Sequence, residues 1–461
     1  MFLETVRSEG LNHFSYVVGD NGKAAVIDPR RDCKVYVEIA KRHGAQITYI
    51  FETHRHEDFV VGSLELARRT KARILHGKTL AFKYGEGVKD GDTFNLGDIT
   101  LKVLETPGHT PESISLALID NAAGDKAVGV FTGDALLVGD VGRTDFYPDR
   151  KEELAEKLYE ILHRKLLPLG DQAIIYPAHG EGSVCGGSLA AREFSTVGYE
   201  RQFNPMLAKN RKDFIQHKIW EEHHTAPYFR QMEKFNQDGI PLVAKLLEPE
   251  PASADDFSAA VENDGLFVLD VRSPGAFAGS HIQGALSIPL DRLALMAGWF
   301  LPYDRKIGLV ADRDSDAAEA RLYMMRMGYD NAALYLAGGM NSWAEAGKSI
   351  ESIPAVDVET LRRRVANKED FLVLDVRNRT EYVQTPSDPS VHIWIGDLPQ
   401  RIKDLSRNRR IITLCNSGRR AIIAASLLKQ AKFGDVEVCL GSAKTYKTLQ
   451  IPGKTSKRVA A

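Results

Sequence analysis

The stretch FTGDALLVGDVGRTDF (residues 131–146) decides the fold of the first half of the chain. In it an apolar run ends at a Thr-Gly turn, and Asp134 follows directly. Three other segments have the same form, an apolar run followed by a polar loop: THRHED (53–58), TPGHT (106–110) and YPAHG (176–180). The four loops supply the candidate metal ligands His54, His56, Asp58, His109, Asp134 and His179. Rigid strand ends that carry exposed loops are where proteins usually build such sites.

Residues 1–245 alternate short apolar strands with helical patterns, as in AAVIDP, ITYIFETH and AIIYPAHG. The glycines that precede His109 and Asp134 let the backbone turn sharply, so that ligands on different loops can converge. Two imidazoles and one carboxylate with open coordination positions suit non-heme Fe(II) and O2 chemistry. The sequence therefore indicates an α/β domain with a metal site at its strand ends.

Composition limits the classes of protein to which the chain can belong. Its 461 residues predict about two to four domains, and 43% hydrophobic with 26% charged residues is ordinary globular composition. A net charge of −2 offers no basic face for nucleic acid, and no apolar run approaches the roughly 18–20 residues needed to cross a bilayer. The N-terminus lacks a signal-peptide pattern. The cysteines are too scattered for a disulfide framework: Cys33, Cys185, Cys415 and Cys439. We expect a cytoplasmic protein that binds neither membranes nor nucleic acid.

The second half of the chain repeats itself. VLDVRSPGAF (268–277) returns as VLDVRNRTEY (373–382), and IGLVADRDSDAAEA (307–320) returns as IITLCNSGRRAIIA (411–424). Because order and spacing both survive, two copies of one α/β domain of about 100 residues are predicted. The copies differ where the first has Ala311 and Asp312 and the second has Cys415. With the Pro-rich and acidic stretch LLEPEPASADDF as a linker, the predicted domains are 1–245, 255–350 and 355–461.

Residues 1–205 resemble the metallo-β-lactamase fold, an αββα sandwich with its metal site at one edge. Within that superfamily, FTGDALL…GRTDF, YPAHG and STVGYERQFNP (195–205) are similar to the persulfide dioxygenases. The resemblance implies that His54, His109 and Asp134 bind one Fe(II) per chain. It also implies that Arg143 and Tyr176 contact the thiol carrier.

One position departs from the pattern HxHxDH of the superfamily, because its last residue is here Phe59. The change removes a nitrogen ligand of the second metal position and disfavours a dinuclear zinc hydrolase. His56, Asp58 and His179 are then expected to orient the ligands and the bound waters. One metal ion is therefore predicted.

Cys185 lies in the Gly-rich segment EGSVCGGSL, six residues after His179. It is either a small residue tolerated in a flexible loop or a catalytic thiol that transiently carries sulfur at the mouth of the pocket. The fused bacterial members of the resembled family also have a cysteine in this loop.

Cys415 follows an apolar strand and precedes a helical run in LCNSGRRAIIAASLL. Successive backbone N–H groups and the helix N-terminus would face its sulfur, while Arg419 and Arg420 add positive charge. With the upstream LDVR element, this loop resembles a rhodanese (sulfurtransferase) active site, in which Arg420 would help to bind substrate. The earlier copy has only Ala311 and Asp312 at the nucleophile position, so a catalytically silent pseudo-rhodanese is predicted.

The three-part layout resembles the bacterial persulfide dioxygenase–rhodanese fusions. That resemblance implies oxidation of a glutathione, coenzyme A or bacillithiol persulfide by O2 to sulfite, and sulfur transfer at Cys415 to give thiosulfate. Two alternatives remain: a dinuclear zinc thioester hydrolase of the glyoxalase II kind, and a non-catalytic sulfur-relay scaffold. We also expect a homo-oligomer (dimer or tetramer), with the aromatic helical segment 213–235 as the candidate interface.

Overall fold

The computed structural model describes residues 1–183, 186, 189–243 and 248–448, and Cys185 therefore lies outside the described residues. The chain divides into two compact units. The first comprises Met1–Leu246 with Met325–Gly328, and the second comprises Leu247–Met324 with Tyr329–Ala461.

The described part of the first unit contains the following strands: β1 (Phe2–Ser8), β2 (His13–Asp20), β3 (Lys23–Ile27), β4 (Gln46–Glu52), β5 (Arg73–Gly77), β6 (Glu86–Val88), β7 (Thr93–Leu96), β8 (Ile99–Glu105), β9 (Ile114–Asp120), β10 (Ala127–Gly133), β11 (Leu136–Leu137), β12 (Asp140–Val141), β13 (Ile174–Pro177) and β14 (Ser195–Thr196). Its helices are α1 (Lys34–Arg42), α2 (Ser63–Thr70), α3 (Lys151–Ile161), α4 (Val197–Phe203), α5 (Arg211–Trp220) and α6 (Phe229–Asp238).

Two six-stranded sheets of these residues form the centre of the first unit, in the orders β1-β2-β3-β4-β5-β6 and β14-β13-β10-β9-β8-β7. They face each other across a shared apolar core in which Tyr16 and Phe51 of one sheet pack with Phe131 of the other. On its outer face the first sheet packs against α1 and α2, and the second packs against α3 and α5. This arrangement is an αββα sandwich. A strand such as β2 is buried on both faces because it lies between a helical layer and the other sheet.

Strand direction brings the polar loops together at one edge. β8 and β10 are both antiparallel to β9, and β10 is parallel to β13, so the carboxyl ends of β8, β10 and β13 meet there. In the other sheet β4 is parallel to β3, which is antiparallel to β2. The start of β2 therefore lies at the same edge as the end of β4, and an isolated bridge joins His13 to His179.

The described part of the second unit has the strands β15 (Glu250–Ala252), β16 (Phe267–Asp270), β17 (Leu286–Ser287), β18 (Ile307–Val310), β19 (Ala332–Leu336), β20 (Ala355–Val356), β21 (Leu372–Asp375), β22 (Val391–His392), β23 (Ile411–Leu414) and β24 (Val436–Cys439). Its helices are α7 (Ala254–Asn263), α8 (Pro274–Gly279), α9 (Leu290–Phe300), α10 (Asp314–Arg326), α11 (Gly339–Glu345), α12 (Val358–Ala366), α13 (Arg379–Gln384), α14 (Leu398–Arg401), α15 (Arg419–Gln430) and α16 (Ala443–Thr448).

The second unit contains the same sheet twice. The orders β15-β19-β18-β16-β17 and β20-β24-β23-β21-β22 correspond strand by strand, and the pairs are parallel in both. Each central strand is short and apolar, as in IGLV and IITL, because helices cover both faces of a parallel sheet. The predicted architecture, an αββα sandwich followed by α/β domains with central parallel sheets, is confirmed. None of the helices that the structure describes is long and apolar enough to cross a membrane.

Candidate metal centre

His54, His109 and Asp134 converge at the edge where the strands of the first unit end. One ligand atom from each lies within 4.8 Å of the others, and all three side chains are buried. Oδ2 of Asp134 is 3.4 Å from Nε2 of His109 and 3.7 Å from Nε2 of His54. Both Nε2 atoms are buried and have no hydrogen-bond partner within the described chain. Two buried, unpartnered imidazole nitrogens around one carboxylate oxygen are a donor set that fits a divalent metal ion.

Asp28 fixes the orientation of His54 through Thr53. The backbone N–H and the hydroxyl of Thr53 each donate to the Asp28 carboxylate at 2.7 Å. Because the hydroxyl hydrogen is used in this way, Nδ1 of His54 donates to Thr53 Oγ1 at 2.9 Å. Nδ1 then carries the proton, and the lone pair of Nε2 points into the site. Burial lowers the pKa of His54 well below its usual value, which keeps the ring neutral.

A backbone carbonyl fixes the orientation and the tautomer of His109. Nδ1 of His109 donates to the carbonyl oxygen of Arg143 at 2.9 Å, so its Nε2 is also left with a free lone pair. Burial lowers the pKa of His109 to about 4. Gly142 makes this close approach possible, since a Cβ there would lie 2.0 Å from the carbonyl oxygen of Asp134 and 2.9 Å from Nδ1 of His109.

A chain of carboxylate and imidazole groups holds Asp134. Nδ1 of His179 lies 2.8 and 2.9 Å from the two carboxylate oxygens of Asp134, and its Nε2 is 3.0 Å from Oδ2 of Asp58. Burial by itself raises the pKa of Asp134, but the interactions with His179 outweigh burial and lower the pKa well below its usual value. Asp134 is therefore an anion with a fixed orientation. The structure thus places His179 and Asp58 in one chain of contacts with Asp134, and their predicted orienting role stays a prediction.

The turn before Asp134 requires glycine. Gly133 has φ of +53°, in the left-handed region, and a Cβ at this position would lie 2.7 Å from Thr53 Oγ1. Glycine adopts this conformation without the steric cost that other residues meet. The Thr-Gly-Asp sequence thus lets β10 end directly against the loop that carries His54.

A second group of possible ligands lies beside the first and consists of His56, Asp58 and His179. Phe59 fills the space next to it. The buried Phe59 ring packs 4.1 Å from the ring of His13 and 4.5 Å from that of His56. An apolar ring therefore lies beside this group, at the sequence position where the superfamily pattern has a nitrogen ligand.

Sequence reasoning missed two residues of this edge. Asp28 supports Thr53 and also lies 3.2 Å from Nε2 of His56, and His13 is buried 5.5 Å, between ring centroids, from His179. A signal for both was present in the turn sequence Asp20-Asn21-Gly22 between two apolar runs, which indicates a β-hairpin. A hairpin returns the end of β3, and with it Asp28, to the edge where β2 begins at His13.

Arg143 and Tyr176, the predicted contacts of the thiol carrier, have different surroundings. The Arg143 guanidinium forms an ion pair with Asp145, with Nε to Oδ1 at 2.6 Å, and lies 4.6 Å from the ring centroid of Phe146. The Phe146 ring in turn is 5.1 Å from that of His109, so Arg143 borders the site. Tyr176 stacks on Phe131 at 5.2 Å in the core between the sheets. Its role and that of Arg143 stay predictions.

Comparison with known proteins identifies the family. Residues 9–179 match the metallo-beta-lactamase superfamily, and residues 253–346 and 357–448 match the rhodanese-like domain. "Persulfide dioxygenase ETHE1, mitochondrial" of Bos taurus is 30% identical over 210 residues, which are 44% of this chain and 74% of that protein. The chain belongs to the persulfide dioxygenase family.

Two further proteins are similar to this persulfide dioxygenase family member. A crystal structure described as a metallo-beta-lactamase from Staphylococcus aureus subsp. aureus COL is 34% identical, with a TM-score of 0.65, and covers 73% of this chain and 98% of that chain. The hydroxyacylglutathione hydrolase of Nitrosococcus oceani is 34% identical over 175 residues, which are 36% of this chain and 62% of that protein. The predicted combination of a persulfide dioxygenase domain with rhodanese-like domains in one enzyme is confirmed.

The rhodanese-like part of this persulfide dioxygenase family member carries Cys415 at the end of β23. The residue is buried, and the backbone N–H of Ser417 donates to its Sγ at 3.5 Å. Gly418, with φ of +75°, turns the chain into the N-terminus of α15. The Arg420 guanidinium is bound to Glu381, a residue that sequence reasoning did not single out. In the other copy Ala311 follows the corresponding strand β18.

Proposed function

We propose that the first unit oxidises a low-molecular-weight thiol persulfide with O2 to sulfite at a single Fe(II). The thiol is of the glutathione, coenzyme A or bacillithiol type. The balanced reaction is R–S–S⁻ + O2 + H2O giving R–S⁻ + SO3²⁻ + 2 H⁺. The observation that carries the proposal is the pair of buried, unpartnered Nε2 atoms of His54 and His109 beside the Asp134 carboxylate. The similarity to a persulfide dioxygenase supports the same reaction.

The chain's own residues hold and shield such a metal ion. His54, His109 and Asp134 would be its three protein ligands, and the metal, when bound, would supply the redox chemistry with O2. Thr53 and the Arg143 carbonyl keep both imidazoles in the tautomer whose Nε2 can bind metal. His179 keeps Asp134 ionised and oriented.

Two groups complete the proposed site. Phe59 excludes water and a second ion from the neighbouring position. The proposed contacts to the thiol carrier are Arg143 and Tyr176, and the proximity of Arg143 to His109 through Phe146 supports its part in this role.

The rhodanese-like part is proposed to use the thiol persulfide and the sulfite of the reaction in the first unit. The Cys415 thiolate attacks the outer sulfur of the thiol persulfide, the S–S bond breaks, and the thiolate R–S⁻ leaves. Sulfite then attacks the outer sulfur of the Cys415 persulfide, giving thiosulfate and regenerating the thiolate. The reverse direction, in which thiosulfate supplies the persulfide, uses the same residues. Arg420 is our proposed substrate-binding residue, and Cys185 is a proposed second sulfur carrier.

The test of the iron reaction is the substitution Asp134→Ala. We expect it to abolish both iron binding, measured by elemental analysis of the purified chain, and O2 uptake with glutathione persulfide, measured with an oxygen electrode. Asp120→Ala is the matched control, because Asp120 ends the antiparallel strand β9 at the opposite edge of the same sheet. Iron binding and O2 uptake at the wild-type level in the Asp134 variant would overturn the proposal.

A dinuclear zinc thioester hydrolase is the second candidate, and the group His56, Asp58 and His179 favours it. The similarity to a hydroxyacylglutathione hydrolase supports it as well. Against it, both nitrogens of His179 already contact carboxylates, and Phe59 stands where a further ligand would be needed. Two zinc ions per chain and no O2 uptake would favour this candidate. A chain purified without any metal would favour the sulfur-relay scaffold.

The remaining proposals concern organisation. We propose the domains 1–245, 255–350 and 355–461, the second of them without sulfurtransferase activity. The free, buried cysteines Cys33, Cys415 and Cys439 support a reducing, cytoplasmic setting. The exposed Trp220 at the end of α5 supports the segment 213–235 as the interface of a homo-oligomer.

A further inference from the structure

A comparison of the two copies in the second unit shows which side-chain contacts belong to the fold and which occur only with the cysteine. Both copies contain a buried Asp–Arg pair at the end of the first central strand. Arg377 donates from Nε to both oxygens of Asp375 at 3.0 Å, and Arg272 donates to Asp270 in the same way at 3.0 Å. Because the copy without a cysteine keeps this pair with the same geometry, the pair belongs to the fold.

Glu381 has contacts that only the copy with the cysteine contains. Its Oε1 accepts from Nδ2 of Asn416 at 2.7 Å and from Nη2 of Arg420 at 2.8 Å. Its Oε2 accepts from Nη1 of Arg420 at 2.6 Å and from the backbone N–H of Asn378 at 3.1 Å. Four donors thus hold one carboxylate in place. The ionic hydrogen bonds among them are stronger than those between neutral groups.

The copy without the cysteine has none of the three side chains of this network. When the repeats are aligned, Ala276 stands in the place of Glu381, Asp312 in that of Asn416, and Asp316 in that of Arg420. Asp316 instead pairs with Arg313 at 2.7 Å. The network and the cysteine are therefore present together in one copy and absent together from the other.

The two side chains that Glu381 holds stand on either side of the loop that faces the sulfur. Asn416 follows Cys415 directly, and Arg420 is the second residue of α15. Between them Ser417 directs its backbone N–H at Sγ, and Gly418 adopts the left-handed conformation. A carboxylate that binds both ends of such a loop restricts the positions that the backbone N–H groups can take around the sulfur.

We infer that Glu381 is a positioning residue for sulfur transfer at Cys415, acting through Asn416 and Arg420. The inference rests on the proposed sulfurtransferase function of Cys415. Glu381 fixes the loop so that the N–H groups and the cation stay in place while negative charge moves on and off the sulfur. It makes no bond to the transferred sulfur atom.

The substitution Glu381→Gln tests this role, because glutamine keeps the size of the side chain and removes its charge. The reaction is the loading of Cys415 from thiosulfate without O2: a bond forms between Cys415 Sγ and the outer sulfur, the S–S bond of thiosulfate breaks, and one sulfite leaves per active chain. The sulfite burst gives two readouts, since its amplitude counts folded, competent sites and its rate reports positioning. We expect an amplitude within about 20% of wild type and a burst rate lowered at least tenfold.

Two further variants complete the design. Glu381→Asp, which keeps the carboxylate, should recover part of the burst rate. Glu369→Gln is the matched control, because Glu369 pairs with Arg364 at 2.9 Å in the same domain, ahead of β21 and thus at the opposite sheet edge. This control should behave as wild type.

The outcomes separate the inference from the function on which it rests. A burst rate of the Glu381→Gln variant within twofold of wild type would overturn the inference, and so would a loss confined to the amplitude, which is the sign of a structural role. If the wild-type chain itself releases no sulfite, the proposed sulfurtransferase function fails instead.

Discussion

Phe59 is the residue that most limits the chemistry of the metal edge. It is fully buried between His13 and His56 and brings no ligand to the group His56, Asp58 and His179. Metal sites select ions through the number and type of their ligands, so a single side chain can separate a site for one ion from a site for two. The same position carries histidine in the general pattern of the superfamily.

At this residue scale, Phe59→His is expected to create a second metal position. The new imidazole would lie beside His56 and add a nitrogen ligand to the group His56, Asp58 and His179. Chains purified with excess zinc should then hold about two ions instead of one, measured by elemental analysis. Phe59→Leu is the control, which keeps the position apolar and should leave one ion per chain. A His variant that still holds one ion would show that Phe59 does not limit occupancy.

At the scale of single elements, the C-terminal end of α5 contains an ion pair that the helix dipole disfavours. Glu221 is the C-cap residue, where a negative charge is unfavourable, yet it pairs with Lys218, which is almost fully buried. Burial by itself raises the pKa of Glu221, but its hydrogen bond with His223 and the charge of Lys218 outweigh burial and lower the pKa to about 2. The buried ammonium group of Lys218 thus explains why an ionised acidic residue is stable at the C-terminal end of α5.

Glu221→Gln is expected to destabilise the first unit by about 3 kcal/mol at pH 7, because it leaves the buried charge of Lys218 without its partner. The folded pKa of Glu221 lies below its unfolded value, so its contribution is complete above pH ~4.5 and is lost as the pH falls through about 2. Calorimetric unfolding at a series of pH values should show a lower midpoint temperature for the variant than for the wild type. The difference between the two midpoints should become smaller at acidic pH.

The matched control at this element is Glu156→Gln. Glu156 forms an exposed ion pair with Arg211 at the other end of α5, and such pairs contribute about 0–1 kcal/mol. Its unfolding midpoint should stay close to that of the wild type. If the difference in midpoint between the Glu221 variant and the wild type is equally large at all pH values, the lowered pKa of Glu221 is contradicted.

At the scale of the whole molecule, the chain combines a proposed oxygen-dependent site and a proposed sulfur-transfer site, each in its own compact unit. The product of the first reaction, sulfite, is the acceptor of the second. Because one chain carries both proposed sites, we expect the final product to depend on Cys415 and the O2 consumption to depend on Asp134.

Cys415→Ser is therefore expected to leave O2 uptake with glutathione persulfide at the wild-type rate and to change the product. Serine cannot carry a transferable sulfur atom, so sulfite should accumulate in place of thiosulfate, measured by ion-pair chromatography of the products. Cys33→Ser is the matched control, since Cys33 is a free cysteine buried in an apolar core of the first unit and should not alter the product ratio. Thiosulfate production at the wild-type rate by the Cys415 variant would contradict the coupled reaction.

Much of the fold followed from the sequence because the signals are local. Apolar runs that end in Gly-containing loops marked the strands of the sandwich, and the repeated LDVR element marked the duplicated sheets. Asp28 and His13 were missed because the signal for them lies in the hairpin turn Asp20-Asn21-Gly22 and not in the residues beside them. They reach the metal edge only through strand pairing, which connects β2 and β3 to β4.

The sequence by itself determined the identity of the candidate ligands, the absence of a histidine at Phe59 and the absence of a nucleophile in the first rhodanese-like copy. Only the tertiary structure decided which nitrogen of each histidine faces the site and which groups hold the reactive residues. Those contacts join residues far apart in the chain, such as His179 with Asp134 at a separation of 45 positions and Arg420 with Glu381 at 39. The physical reason is that a residue's type fixes what it can donate or accept, whereas its partner depends on the register and direction of the strands that bring two segments together.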